Sequence, residues 1–315
     1  GTGFFGCWLL ESFLWINQRL NLNSQITVLT RSPETFIAKT PHLALAESVT
    51  LLADDVRNFV FPAGTFSYII HAATEASAKL NTENPLLMLD TIVEGTRRML
   101  DFSLACGAKK FLLTSSGAVY GKQPPDMTHI HEDYVGAPDP LDPKSAYGQG
   151  KRQAEHLCTL YVQKAPVEMK IARCFAFVGP YLPLDVHFAI GNFIRDGLRG
   201  GPIVILGDGT PQRSYLYAAD LAIWLWTILF NGQSLRPYNV GSAESLSIVE
   251  IAVRVAEQFS PKVTVKVRET PNSLKPVESY APDNQRAKKD LALTPLVNLT
   301  DAIRKTITFY QGETR

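Results

Sequence analysis

Short apolar segments alternate with helix-like segments along the first half of the chain, and this alternation constrains the fold more than any other feature. The predicted strands are residues 25–30, 49–53, 68–71, 110–115 and 169–175. The predicted helices are residues 4–19, 85–106 and 146–164. Apolar strands separated by helices are typical of a parallel sheet that is buried on both faces. Right-handed crossovers between them predict a doubly wound α/β fold.

The pattern changes after residue 175, where loops rich in Gly and Pro appear. Helical patterns return at residues 247–259, 287–291 and 300–310. We therefore predict a dinucleotide-binding domain of residues 1–176, with a returning segment at about 212–244. Residues 177–211 and 245–315 form a smaller, mostly helical substrate-binding region in this interpretation.

A glycine-rich turn, Gly-Thr-Gly-Phe-Phe-Gly, occupies residues 1–6. Gly3 and Gly6 allow the backbone to pass close to a pyrophosphate, and a helix from Phe4 directs N–H groups at it. A plain tight turn has the same spacing, so the βαβ elements later in the chain decide between the two interpretations. Such a turn normally comes after a strand, and none precedes it here. We expect residues upstream of Gly1 to supply the missing first strand.

Three side chains are candidates for acid–base chemistry. Tyr147 and Lys151 lie at i and i+4 on one face of a predicted helix, where the ammonium is expected to lower the pKa of the phenol. Such a phenol can take a proton from a sugar hydroxyl or return it to a ketone. Ser116 lies at the carboxyl end of a predicted strand, where doubly wound folds bind ligands. A Tyr-x-x-x-Lys pair also arises by chance. The position of Ser116 at the end of a strand favours the catalytic interpretation of this pair.

Several short motifs together resemble those of one enzyme superfamily. They are Gly-Thr-Gly-Phe-Phe-Gly, His71-Ala72-Ala73, Gly95-Thr96, Ser116 with Val119-Tyr120-Gly121, Tyr147-x-x-x-Lys151, Arg173 with Gly179-Pro180, Gly207-Asp208-Gly209 with Arg213, and Asn239-Val240-Gly241. The set is similar to the extended short-chain dehydrogenase/reductase superfamily. Within it, the chain resembles NAD-dependent epimerase/dehydratase proteins that act on nucleotide-linked sugars, which have a Rossmann fold.

The resemblance implies roles for individual residues. Ser116, Tyr147 and Lys151 match the catalytic triad, whereas Ser116, Asn192 and Arg213 match substrate-binding positions. The expected cofactor-binding residues, with the turn and Arg31 included, are Gly1, Gly3, Phe4, Phe5, Gly6, Arg31, Asp55, Val56, Ala72, Ala73, Tyr147 and Lys151. A nucleotide-diphosphate sugar is the implied substrate. A homodimer formed through the two long helices is the implied assembly.

Some positions depart from the family pattern. Gly117 and Ala118 stand where dehydratases carry an acidic pair, and neither can serve as the acid or base that dehydration needs. Ala176 and Ile92 stand where relatives often have Asn. Arg31 follows the strand whose end selects the cofactor, and an Arg there favours the 2′-phosphate of NADP over NAD. A solvated loop charge is the alternative interpretation of Arg31.

Composition excludes several other classes of function. The 31 basic and 30 acidic side chains leave a net charge of +1, which does not favour a nucleic-acid or anionic-membrane partner. The four cysteines are far apart, so we predict reduced thiols in a cytoplasmic protein and no metal site. His129 and His131 could suggest a metal site, but the sequence places no third ligand near them.

The sequence therefore predicts an NAD(P)-dependent nucleotide-sugar epimerase that acts through a 4-keto intermediate. An NADPH-dependent 4-keto-sugar reductase is the alternative, and Arg31 shifts weight toward it. A decarboxylase needs a basic pocket for a uronate carboxylate, which the sequence does not locate. A 4,6-dehydratase and a non-catalytic dinucleotide sensor are less favoured.

Overall fold

The computed structural model describes residues 1–73, 78–185, 189–272, 274 and 276–313. The helices are α1 Phe4–Arg19, α2 Pro33–Lys39, α3 Pro41–Ala44, α4 Ala78–Glu83, α5 Pro85–Ala105, α6 Ala146–Tyr161, α7 Ala189–Leu198, α8 Ala218–Asn231, α9 Ile248–Ala256, α10 Gln285–Leu291 and α11 Leu299–Glu313. The strands are β1 Ile26–Thr30, β2 Val49–Ala53, β3 Tyr68–His71, β4 Lys110–Ser116, β5 Glu168–Cys174, β6 Phe177–Val178, β7 Ile203–Ile205, β8 Gln212–Arg213, β9 Leu216–Tyr217, β10 Pro237–Val240, β11 Leu246–Ser247, β12 Val265–Val267 and β13 Ser279–Tyr280.

The central sheet is parallel, as the alternation of segments predicts. Strands pair in the order β10-β5-β4-β3, and β1 pairs separately with β2. No hydrogen-bonded ladder joins β1 to β3 within the described ranges. The amino group of Gly1 donates to the carbonyl oxygen of Leu29 in β1 (2.9 Å). The glycine turn therefore lies against β1, while the strand expected upstream of Gly1 stays a prediction.

Helices cover both faces of this sheet, which confirms the doubly wound α/β architecture. The alternation along β4 shows this directly, because Leu112 faces one apolar core and its neighbours Phe111 and Leu113 face the other. Helices α1 and α8 pack on the Leu112 side, whereas α5 and α6 pack on the opposite side. Helices α2 and α3 lie beside β1 and β2.

The later part of the chain builds a separate apolar core around α7, α9 and α11. Its helical character agrees with the sequence pattern, but the pattern misses α7 and the short strands. These strands form the pairs β6-β9 and β7-β12 and the three-stranded group β11-β8-β13. Strands of two or three residues are too short for an alternating pattern to identify. The proposed domain boundaries at residues 176, 212 and 244 stay a prediction.

Helix ends differ from the sequence prediction by a few residues. Helix α6 ends at Tyr161 rather than at residue 164, and α5 ends at Ala105 rather than at residue 106. The starts agree because local chemistry fixes them: Asn84 caps α5 by accepting from the N–H of Leu87 (3.2 Å), and Pro85 occupies the first helical position. Helix α6 packs against β4 and β5.

Candidate active site

The glycine turn passes directly into the amino terminus of α1. Gly3 precedes the helix with extended backbone and no side-chain cap, and the first turn of α1 contains no acidic residue. A Cβ at Gly6 would lie 1.8 Å from the carbonyl oxygen of Gly1, so only glycine lets the turn fold back on the helix. A Cβ at Gly3 meets nothing within 4 Å. This open backbone with free helical N–H groups fits a pyrophosphate.

The residues expected at the adenine end lie close to the turn. Arg31 is exposed at the end of β1, near enough to Asp55 to affect its pKa. Asp55 accepts two side-chain hydrogen bonds from Arg57 (2.9 and 3.1 Å), and this contact holds the pKa of Asp55 below its usual value. Val56 is buried against Gly95, where an added Cβ would lie 2.9 Å from Val56 Cγ1. Asp55 thus has a partner within the protein, and Val56 forms part of the core.

Ala72 and Ala73 follow His71 at the end of β3 and are half-buried. His71 Nε2 is bonded to the hydroxyl of Thr96 (3.0 Å), while its Nδ1 has no hydrogen-bond partner within the described part of the chain. Burial, with a smaller contribution from the charge of Lys151, lowers the pKa of His71 to about 3. The imidazole next to the candidate nicotinamide side is therefore neutral at physiological pH.

Ser116, Tyr147 and Lys151 meet at the carboxyl edge of the sheet. Ser116 ends β4, and its hydroxyl accepts from the N–H of Ala118 (3.1 Å). Tyr147 is in the first turn of α6, where its N–H donates to Asn81 Oδ1 (3.0 Å). One turn later, the ammonium of Lys151 donates to the carbonyl oxygen of Thr114 (2.8 Å). The structure thus brings the three predicted catalytic residues together.

Burial dominates the electrostatics of this group. It raises the pKa of Tyr147 to about 12, and a hydrogen bond with Ser116 opposes the shift. Burial also lowers the pKa of Lys151 to about 8, against the opposing effects of Cys174 and Glu155. The expectation that Lys151 lowers the pKa of Tyr147 below its usual value is therefore wrong for this structure. The ammonium lies 5.8 Å from the phenol ring centre, and burial is the largest influence on the pKa of the phenol.

Arg213 lies beside Tyr280, whereas Asn192 is engaged elsewhere. Arg213 is in β8 and pairs in register with Tyr280 of β13. Its guanidinium donates to the carbonyl oxygen of Gln212 (2.8 Å). The side-chain oxygen of Asn192 accepts instead from Arg195 on its own helix α7 (3.1 Å). A cavity of about 310 Å³ lies beside Arg213 and is also lined by Lys122, Glu278 and Tyr280.

Tyr280 is a site residue that the sequence interpretation missed. Its hydroxyl oxygen lies next to Gly117, directly after Ser116, and both Ser116 and Tyr147 affect the pKa of this phenol. Burial raises the pKa of Tyr280 well above its usual value. The residue belongs to a two-residue strand far along the chain, so no local pattern connects it with Ser116.

The two positions after Ser116 offer no acidic group and no room for one at residue 117. A Cβ at Gly117 would lie 2.6 Å from the hydroxyl oxygen of Tyr280 and 2.8 Å from the ring of Phe175. Ala118 follows in the short helical turn Gly117–Tyr120. A side chain at residue 117 would therefore clash with Tyr280 and Phe175 in this structure.

A buried polar network lies behind the catalytic group. Glu155 binds Arg173 through two contacts, at 2.8 and 3.0 Å, and accepts from the hydroxyl of Ser115. Arg173 also donates to the hydroxyl of Tyr120 (2.9 Å), which donates to Asn239 Oδ1 (2.8 Å). Arg173 and Asn239 belong to the family-like motifs, and their contacts here link β5 and β10 to α6.

Two further expectations concern metals and membranes. Within the described residues, no group of three or more His, Cys, Asp or Glu side chains could hold a metal ion. His129 Nε2 is bonded to the carbonyl oxygen of Ala243 (2.9 Å). No helix in the described part of the chain is both long and apolar enough to cross a bilayer.

Comparison with known proteins finds similar sequences among nucleotide-sugar enzymes. The sequence model of the NAD dependent epimerase/dehydratase family matches residues 1–241. UDP-glucuronic acid decarboxylase 1 of Arabidopsis thaliana is 33% identical over 245 residues, which are 78% of this chain and 55% of the relative. UDP-glucuronic acid decarboxylase 1 of Danio rerio is 31% identical, over 78% of this chain and 57% of the relative. The chain thus spans a little over half the length of these curated relatives.

Solved structures share the fold over nearly the whole chain. UDP-glucose 4-epimerase of Thermotoga maritima, solved with UDP-glucose, superposes with a TM-score of 0.83 at 19% identity, covering 100% of this chain and 98% of that one. UDP-glucuronic acid 4-epimerase of Bacillus cereus, solved with UDP-glucuronic acid and NAD, gives 0.81 at 21% identity, covering 99% and 97%.

Proposed function

Because this chain belongs to the NAD-dependent epimerase/dehydratase family, we propose that it is an NAD(P)-dependent nucleotide-sugar epimerase acting through a 4-keto sugar. The observation that carries the proposal is that Ser116, Tyr147 and Lys151 lie together where β4 ends and α6 begins. A protein that only senses the dinucleotide has no need of this group.

The residues divide the work by their chemistry. The bound nicotinamide supplies the hydride acceptor and, in the reverse step, the hydride donor. Tyr147 takes the proton from the C4 hydroxyl of the sugar and returns it to the ketone. Ser116 hydrogen-bonds the same oxygen and holds it beside Tyr147. The ammonium of Lys151, fixed by the Thr114 carbonyl, supplies positive charge near the phenol.

Binding uses the elements on either side of this group. The N–H groups at the start of α1 and the open backbone at Gly3 hold the pyrophosphate of the cofactor. Arg213 faces the diphosphate of the sugar nucleotide, since a guanidinium forms charge-assisted hydrogen bonds with phosphate oxygens. Asn192 binds the same ligand only after it exchanges its bond with Arg195.

A second candidate is oxidative decarboxylation of a nucleotide-linked uronic acid. The relatives named above are decarboxylases, and the lining of the cavity beside Tyr280 includes Lys122 and Arg213, to which a carboxylate could bind. Oxidation at C4 makes such a sugar a β-keto acid, which loses CO2 without an acidic residue at position 117 or 118. The first chemical step is shared with epimerisation, and the same three residues perform it.

Product analysis separates the candidates. The purified protein is incubated with NAD or NADP and with UDP-glucose or UDP-glucuronic acid, and products are identified by mass and by proton NMR. An epimerase returns a product of unchanged mass with inverted C4, whereas a decarboxylase returns one that has lost CO2. A reductase consumes NADPH with a 4-keto sugar and forms no epimer. Cofactor binding without turnover of any of these substrates contradicts the proposal.

The Tyr147→Phe variant tests the assignment of the proton carrier. We expect kcat to fall by about 10²–10⁴-fold, the range for general acid–base catalysis, while calorimetry shows unchanged cofactor binding. Retention of wild-type kcat would exclude Tyr147 from this role.

A further inference from the structure

We propose that Asn81 is a positioning residue for Tyr147, because its carboxamide holds the first turn of the helix that carries the phenol. Asn81 lies in the short helix α4, 66 positions before Tyr147 in the chain. The inference rests on the proposed function, since it assigns Asn81 the task of placing the proposed proton carrier. None of the motifs found in the sequence includes this residue.

Both polar atoms of the Asn81 side chain bind the start of α6. Its Oδ1 accepts from the N–H of Tyr147 (3.0 Å). Its Nδ2 donates to the carbonyl oxygen of Lys144 (2.7 Å). Lys144 belongs to the short helical turn Pro143–Ser145, which leads directly into α6. The carboxamide therefore bridges two points of the backbone and fixes how this turn joins the helix.

The start of α6 needs a partner from outside the helix. The first N–H groups of a helix have no acceptor within it. Tyr147 is the second residue of α6, so its N–H is one of these groups. Ser145 occupies the N-cap position but makes no side-chain capping bond. Asn81 therefore supplies to Tyr147 the acceptor that an N-cap side chain normally provides.

Helix α4 is itself held against the layer formed by α5 and α6. Leu80 is half-buried and packs on the apolar core that these two helices share. Its carbonyl oxygen accepts from the N–H of Asn84 (2.8 Å), the residue before α5 begins. Asn81 thus stands on an anchored segment, from which its side chain reaches the start of α6.

A second contact of the first turn of α6 lies at the next residue. A Cβ at Gly148 would lie 2.8 Å from the carbonyl oxygen of Ala118, in the turn that follows Ser116. This close approach brings Tyr147 to Ser116, while Asn81 holds the Tyr147 backbone by a hydrogen bond. Loss of the carboxamide leaves only the packing contact, and a displacement of about 1 Å at a reacting group can lower the rate about 10²-fold.

The test compares Asn81→Ala with the matched control Asn84→Ala. Asn84 also caps a helix, because its Oδ1 accepts from the N–H of Leu87 (3.2 Å) at the start of α5. Each substitution removes one capping carboxamide, so both variants should lower Tm by about 1–3 °C. Turnover of UDP-glucose and of UDP-glucuronic acid is measured with NAD or NADP, whichever the wild type uses. Each kcat is divided by the fraction of protein that binds this cofactor in calorimetry.

We expect kcat of Asn81→Ala to fall by about 10–10²-fold, while KM for the sugar nucleotide stays within about twofold. Asn84→Ala should keep the kcat of the wild type. Because the two variants lose the same kind of bond, a difference in kcat between them reports the placement of Tyr147 rather than general stability. A wild-type kcat in Asn81→Ala, an equal fall in both variants, or a rise in KM alone overturns the proposal.

Amide hydrogen exchange measures the contact without turnover. In Asn81→Ala, the amide of Tyr147 should exchange about two- to tenfold faster, because it loses its acceptor. In Asn84→Ala, the amide of Leu87 should respond and that of Tyr147 should not. Unchanged exchange at Tyr147 in Asn81→Ala overturns the proposal. Cofactor binding without turnover by the wild type, or full activity of Tyr147→Phe, instead refutes the proposed function, and the exchange measurement still tests Asn81.

Discussion

Replacing Glu155 with Gln removes the charge that neutralises Arg173 behind the catalytic group. Both side chains are only 14% exposed, and the guanidinium makes contacts of 2.8 and 3.0 Å with the carboxylate. A Gln side chain keeps one oxygen that can accept from Arg173, but its NH₂ group replaces the second oxygen and faces an N–H donor of the guanidinium. Breaking a buried pair by removing one charge costs about 3–5 kcal/mol, and the retained oxygen reduces this loss. We therefore expect the free energy of unfolding to fall by about 3 kcal/mol.

Urea unfolding followed by tryptophan fluorescence and by circular dichroism measures this loss. The matched control is Glu244→Gln, whose partner Arg254 lies 2.7 Å away in a pair with side chains 34% and 43% exposed. Solvated pairs contribute about 0–1 kcal/mol, so this control should change little. Equal losses in the two variants, or a loss below about 1 kcal/mol for Glu155→Gln, would refute the reasoning that burial makes the Arg173 pair important.

Three further predictions concern charge, cofactor choice and assembly. Lys151→Met should abolish turnover but raise the free energy of unfolding at pH 7 by about 1–2 kcal/mol. Burial lowers the pKa of Lys151 from 10.5 to about 8, so burying the charged ammonium destabilises the folded state by about 3 kcal/mol. The substitution removes this cost but also loses the hydrogen bond to the Thr114 carbonyl, which contributes about 1 kcal/mol. Because the unfolded chain holds the proton of the Lys151 ammonium more tightly than the folded chain, the stability gained by Lys151→Met is full below pH 8 and disappears toward pH 10.5. A Lys151→Met variant that is less stable than the wild type at pH 7 would contradict this prediction. Arg31→Ala should weaken NADP binding about tenfold in calorimetry and leave NAD binding unchanged, and equal effects on both would exclude a contact with the 2′-phosphate. Light scattering should give about twice the chain mass of 34.8 kDa if α5 and α6 form a homodimer, and a single-chain mass would exclude that assembly.

Local sequence signals predicted the strands β1 to β5 and the helix that carries Tyr147 and Lys151, but not β10, which completes the central sheet. The consecutive apolar residues Phe111, Leu112 and Leu113 predict a strand that is buried on both faces. The structure confirms this, because Leu112 lies in one apolar core and Phe111 and Leu113 lie in another. The spacing of Tyr147 and Lys151 places both on α6, where the structure has them. In each case the residues lie close together in one strand or one helix. The repeat of the backbone then fixes which side chains share a face, so the sequence alone is enough to predict it.

The remaining features depend on contacts between distant segments. The shift of the Tyr147 pKa to about 12 comes from burial, which no spacing along a helix reveals. Tyr280 reaches Ser116 through the pairing of two strands of two residues each, which is too short for a periodic signal. The side chain of Asn192 is bonded to Arg195, three residues along the same helix, and a positional match with the family does not predict that competition.

The proposed catalytic residues and part of the lining of the cavity beside Arg213 therefore come from different parts of the chain. Ser116, Tyr147 and Lys151 lie within the region that the family model matches, and in the proposed function they perform a step common to epimerisation and decarboxylation. Tyr280 and Glu278, which line the cavity beside Arg213, lie beyond that region. In the proposed function, oxidation at C4 needs only Ser116, Tyr147 and Lys151 with the bound nicotinamide. We therefore expect the groups that face the rest of the sugar to decide which product the ketone gives. The fate of the proposed 4-keto sugar is thus expected to depend on the residues that line the cavity beside Arg213.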